Sequence, residues 1–175
     1  MPIIARDNSK AIRPAPEGLH NAVCCDVVDK GLQTSSFGTA HKVELRWQLE
    51  AKDPETGRRH MVIAWYTLSL NVKSNLSKLL EAWRGKAFTK EERAGFDVDA
   101  VIGAPCQIQV NHQIDDEGGR RARVQAVVQH NPKLERLRVE NYVKVRDRAD
   151  EHDNGGDPFA PEATDDVALE ERLPF

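Results

Sequence analysis

The sequence predicts a mainly β fold: a small five-stranded antiparallel barrel, one helix inserted between its third and fourth strands, and an acidic tail appended. Three observations carry this expectation. Apolar residues recur with a period of two in five separate runs, turn-forming residues separate those runs, and one segment follows the 3.6-residue helical period instead. At 175 residues the chain holds one domain of ordinary size plus an appendage.

Residues 1–17 carry Pro2, Pro14 and Pro16 among polar residues and read as an irregular lead-in, because proline lacks an amide donor and restricts its predecessor. The domain begins near Gly18. The run LHNAVCCDVV from Leu19 to Val28 is the first strand, with Leu19, Val23, Cys25 and Val27 sharing one parity. Asp29 to Ala40 reads as a polar loop containing Gly31 and Gly38, in which Phe37 has no apolar periodic partner. His41 to Glu50 alternates as the second strand, with Val43, Leu45, Trp47 and Leu49 inward and Lys42, Glu44, Arg46 and Gln48 on a wet face.

Asp53-Pro54-Glu55-Thr56-Gly57 has the chemistry of a turn. It leads into a third strand from His60 to Leu70, whose inward parity is Val62, Ala64, Tyr66, Leu68 and Leu70, with Trp65, Thr67 and Ser69 opposite. Ser74 or Asn75 caps a short amphipathic helix through Leu76, Leu79, Leu80 and Trp83, ending at Gly85. Thr89 caps one further turn over Lys90 to Arg93, and Phe96, Val98, Val101 and Ile102 supply packing groups. The fourth strand runs from Pro105 to Gln113 through Cys106, Ile108 and Val110, and the fifth from Arg121 to Gln129 through Ala122, Val124, Ala126 and Val128. Asp115-Asp116-Glu117-Gly118-Gly119 forms the hairpin loop between them.

The resulting order, β-β-β-α-β-β over residues 18–130, is that of an OB-fold, a five-stranded partly open barrel; another small antiparallel barrel is the alternative. Residues 131–150 form a basic extension. Leu137, Val139, Val143 and Val145 alternate as in an edge strand, whereas Leu134 and Leu137 suit a helix, and both readings stay open.

Composition narrows the function classes. With 39% hydrophobic and 30% charged residues, and no apolar run of the length a spanning helix needs, a soluble cytoplasmic protein is expected. Cys24, Cys25 and Cys106 are the three cysteines, and adjacent Cys24 and Cys25 suit neither a disulfide framework nor a zinc site. The six histidines are scattered without metal-ligand spacing, and there is no phosphate-cradling glycine loop. No catalytic residue, metal or cofactor is therefore expected, and the acidic Asp115-Asp116-Glu117 tip reads as a solvated turn.

The net charge of -3 conceals an asymmetry. Residues 151–175 hold eight acids against the single base Arg172, which leaves 24 of the 25 Lys+Arg and 20 of the 28 Asp+Glu in residues 1–150. A body of about +4 beside a tail of -7 is a polyanion-binding pattern with a built-in competitor. Residues 154–163, rich in Gly, Pro, Asp and Ala, have too little apolar surface to fold and tether the final residues as a disordered tail.

Glu170-Glu171-Arg172-Leu173-Pro174-Phe175 resembles the acidic tip of bacterial single-stranded DNA-binding proteins, although Arg172 departs from the usual all-acidic run. That resemblance implies a docking peptide in which Glu170, Glu171, Leu173, Pro174 and Phe175 engage a partner: the ring enters an apolar pocket, the carboxylate meets a cation and the acids meet a basic rim. The body carries Val27-Val28-Asp29, Phe37-Gly38, His41-Lys42-Val43, Tyr66-Thr67-Leu68-Ser69-Leu70, Lys73-Ser74-Asn75-Leu76, Trp83-Arg84-Gly85 and Phe88-Thr89. In that order and spacing they are similar to a group of phage and mobile-element OB-fold single-stranded DNA-binding proteins, which implies a role in replication or recombination.

Physical chemistry reaches the same class independently. Single strands are held by cations along the phosphates and by aromatic faces on which bases stack. In a barrel of this type the second and third strands and their flanking loops supply both. Phe37, Lys42, Arg46, Trp65, Lys73, Arg120, Arg121 and Arg123 are the candidates for nucleic-acid contact. Each has a structural alternative: Trp65 packed against the final segment, Phe37 pinning its loop, the arginine cluster an ordinary solvated hairpin end. Trp47 and Tyr66 share parity with the core. The rival function is an adaptor that modulates a replication or recombination enzyme without touching DNA; a single-strand annealing accessory is a weaker one. Self-association through exposed strand edges is also expected.

Overall fold

Strict alternation in Val43, Leu45, Trp47 and Leu49 puts four apolar side chains on one side of the second strand, and all four are buried. The fold is built around them. The computed structural model describes residues 13–148. Five strands, β1 (Gly18–Ser35), β2 (Gly38–Lys52), β3 (Arg59–Thr67), β4 (Pro105–Ile114) and β5 (Arg120–Gln129), form one antiparallel sheet in the order β3-β2-β1-β4-β5. Between β3 and β4 in the chain lie α1 (Asn75–Arg84), α2 (Lys90–Ala94) and a 3-10 turn at Val98–Val101. The edge strands β3 and β5 approach one another, but no ladder joins them among the described residues, so the sheet is open.

The helix sits where its caps place it. Ser74 accepts from the Ser77 amide, and Gly85 closes the other end in the left-handed conformation at φ 73°. A side chain at Gly85 would also collide with Gln129, whose Nε2 donates to the Arg84 carbonyl at 3.1 Å and ties α1 to β5. Thr89 and Glu92 form a complete capping box for α2. Leu76, Leu80 and Trp83 face the sheet; the Trp83 ring lies 6.1 Å from that of Trp47, and its Nε1 donates to the Pro105 carbonyl at 2.9 Å.

Three bulges correct the expected strand faces. Cys25 and Lys30 are extra residues in β1, and Gln125 is one in β5. Because the side-chain period is two, each inserted residue reverses the parity beyond it. In β1 the main core cluster therefore takes Ala22, Cys24 and Val27; Val23 and Cys25 are buried outside that cluster, and Leu19 is 57% exposed. In β5 Ala122 and Val124 pack inward as expected, but beyond Gln125 Val127 is buried and Val128 faces out.

The segment 29–40 is not a loop. β1 and β2 continue as a ladder to Ser35 and Gly38, so these residues form a long hairpin arm with Phe37 at its tip. Polar side chains suit an arm wet on both faces, which is why apolar periodicity did not reveal it.

The outer face of β2 is not wet along its length either. Glu44 and Gln48 are buried. Residues 131–148 cross that face as an irregular strap, neither strand nor helix apart from a short 3-10 turn at Val145–Asp147. Side chains of the sheet satisfy its backbone: Asn21 donates to the Glu135 carbonyl, Arg59 to that of Arg138, and Gln48 both donates to the Glu140 carbonyl and accepts from its amide. Asn141, at φ 50°, turns the strap so that Tyr142 is buried against β1 and β2.

Candidate nucleic-acid interface

The strap divides the outer face of β1, β2 and β3. Its contacts reach Gln48 and Arg46 of β2, and the next outward positions, Glu44 and Lys42, lie beyond it. Register places Trp65 opposite Glu44 and Thr67 opposite Lys42. Trp65 therefore stands at the strap's margin, 51% exposed, as its parity in the third strand predicts.

Around the indole the structure gathers cations. Lys42 donates to the Thr67 hydroxyl at 2.7 Å, which fixes its stem along β3. Lys73 enters from the turn before α1, where Asn71 accepts from its amide at 3.0 Å and Ser74 donates to the Ser69 carbonyl at 2.6 Å. Lys42, Trp65, Thr67, Asn71, Lys73 and Ser74 line one open groove. Lys30, the bulged residue of β1, lies over the indole with Nζ 5.0 Å from the ring centroid and 3.2 Å from Glu44. Burial acts to raise the Glu44 carboxyl, but Arg46 and Lys30 outweigh it and hold the group below its ordinary range.

Three of the eight predicted residues thus meet in one groove: Lys42, Trp65 and Lys73. Phe37 is fully exposed at the arm tip, its amide donating to Ser35 Oγ at 3.3 Å. Arg120, Arg121 and Arg123 are exposed at the start of the edge strand β5 and do not line the groove; Arg121 pairs with Asp115 at 3.3 Å. Arg46 departs from its expected place. Its Nε donates to Glu44 at 2.6 Å, its Nη1 reaches the Tyr142 hydroxyl at 3.5 Å, and its side chain is 11% exposed under the strap. Glu170, Glu171, Leu173, Pro174 and Phe175 lie outside the described residues.

Lys30 escaped the sequence reading because it lies in a segment read as an unpaired loop. A lysine beside Gly31 carries no periodic signal, and its place over Trp65 depends on the bulge. The cysteines are buried with free thiols, and burial pushes all three thiols up. Among the described residues no group of His, Cys, Asp and Glu side chains could hold a metal ion, and no helix is long and apolar enough to cross a membrane. Chemically, the groove presents a flat π surface beside ammonium groups. No family model matches the chain, and no curated protein matches it.

Proposed function

We propose that this chain binds single-stranded DNA with little sequence preference, during replication or recombination, and recruits partner proteins through its C-terminal tip. The observation that carries the reading is Trp65, half-exposed at the margin of the strap, with Lys30, Lys42 and Lys73 around it. A base stacks on an indole whatever its sequence, and cations beside it neutralise the phosphates, which is the chemistry of sequence-tolerant strand binding. In this reading β3 and β5 are the two edges of a partly open OB-type barrel, and the arm ending at Phe37 reaches along the strand. The arginines of β5 extend the cationic path, and exposed edges allow copies to associate. Glu170, Glu171, Leu173, Pro174 and Phe175 dock on replication or recombination proteins, leaving the body to hold DNA.

Titrating an oligothymidylate into the full chain at low salt tests the reading. Trp47 and Trp83 are buried, so quenching of tryptophan emission reports on Trp65. Binding with quenching is expected; no binding at low salt overturns the proposal. The modest cation surplus of the body keeps the adaptor in view as the second reading, and an adaptor would keep its activity in a Trp65→Ala, Arg121→Ala double variant.

A further inference from the structure

Lys30 holds an unusual position. Its ammonium lies over the Trp65 ring, yet the residue is not among those lining the groove that Trp65 borders. Its place over the ring is set by the sheet and by Glu44, not by the residues that line the groove. Lys30 is anchored in turn: its Nζ is 3.2 Å from Glu44, whose side chain is 5% exposed and whose other oxygen accepts from Arg46 at 2.6 Å. A solvated lysine stem is free to sample many rotamers, and pairing with a buried carboxylate removes most of that freedom.

We infer that Lys30, fixed by Glu44, is a positioning residue that holds the Trp65 indole in the orientation required for base stacking, without itself contacting the strand. The inference rests on the strand-binding reading above. A half-exposed tryptophan at the margin of a sheet otherwise pays rotamer entropy each time a base stacks on it, and a cation on the ring removes that loss beforehand. The Lys30 ammonium is engaged by both the ring and Glu44. Lys42 and Lys73, which do line the groove, are left to neutralise phosphate.

The test uses the full chain with Lys30→Met, which keeps the length of the stem and removes the charge, and Lys30→Arg, which restores it. Three measurements are made: the fluorescence anisotropy decay of Trp65 in the free protein, with a Trp65→Phe blank; the affinity for an oligothymidylate over a range of salt; and the melting midpoint. Lys30→Met is expected to give Trp65 a fast local motion and to weaken affinity by about two- to fivefold, the range of one exposed cation–π contact. The salt slope should stay at the wild-type value, the midpoint should fall because the buried Glu44 carboxylate loses one of its two cationic partners, and Lys30→Arg should restore affinity, ring order and midpoint. A salt slope smaller by about 0.7 would overturn the inference by making Lys30 a direct phosphate contact. Unchanged ring motion, or a loosened ring with unchanged affinity, overturns it equally. If the wild-type chain binds no strand at low salt, the strand-binding reading fails by itself, while the anisotropy decay still decides whether Lys30 holds the ring.

Discussion

The Tyr142 hydroxyl donates to Oδ2 of Asp26 at 2.8 Å, joining two residues 116 positions apart and fastening the strap to the sheet. Asp26 is completely buried, and its carboxylate also accepts from the amides of Val27 and Val145. Burial and this bond push the Tyr142 hydroxyl well above its ordinary range. A buried carboxylate needs its donors, so the strap belongs to the folded domain.

Tyr142→Phe removes one donor and leaves the ring in place. It should cost about 1.5–3 kcal/mol, the range for a hydrogen bond to a charged group. Urea unfolding measures it. A variant as stable as the parent would show that the strap contributes nothing at this point.

Trp65→Ala should weaken oligothymidylate binding by about 1–3 kcal/mol, the usual value of one base stack, with little change in melting because the ring is half-exposed. Phe37→Ala should act in the same direction, since that ring has no contact to lose in the free protein. Equal affinity in both variants would place the strand elsewhere.

Lys42→Gln and Lys73→Gln should each lower the slope of log affinity against log salt by about 0.7, the effect of one phosphate contact on a single strand. Arg46→Gln should leave that slope unchanged, because its guanidinium lies under the strap. Anisotropy titrations across a salt series check the three together.

Glu92 is held down at about 2 by the Arg84 guanidinium and the Thr89 amide. Its folded value lies below the ordinary glutamate value of 4.5, so its contribution is complete above that value and is lost as pH falls toward 2. Glu92→Gln should therefore be less stable than the parent at neutral pH, and the gap should close as pH falls through this window. Urea midpoints measured from pH 7 downward would contradict this if the gap stayed constant.

Deleting Leu173, Pro174 and Phe175 should abolish capture of replication or recombination partners while leaving strand affinity equal or higher, as the proposed division between body and tail requires. Loss of DNA binding in the truncated chain would contradict this division.

Much of the architecture is local and could be read without coordinates. The alternation around Trp47, the Ser74 and Gly85 caps, the Thr89 turn and the outward face of Trp65 all depend on neighbours within a few residues, where steric and hydrogen-bonding preferences act directly. The order of elements followed from them. The acidic tip was equally a matter of local composition.

Tertiary structure decided the rest, because the deciding partners are far away in the chain. The bulges at Cys25, Lys30 and Gln125 are defined against another strand, so they leave no mark on periodicity until pairing is known. Gln48 and Arg46 read as solvated by alternation, and only residues 140 and 142, more than ninety positions on, bury them. Lys30 became part of the candidate site by the same route, placed over Trp65 by a bulge in β1 and a carboxylate in β2. Sequence alone determined which side chains could form a sheet and cap a helix; the long-range pairing decided which of its faces stayed open to a ligand, since burial is a property of what lies across from a residue and not of the residue's own neighbours.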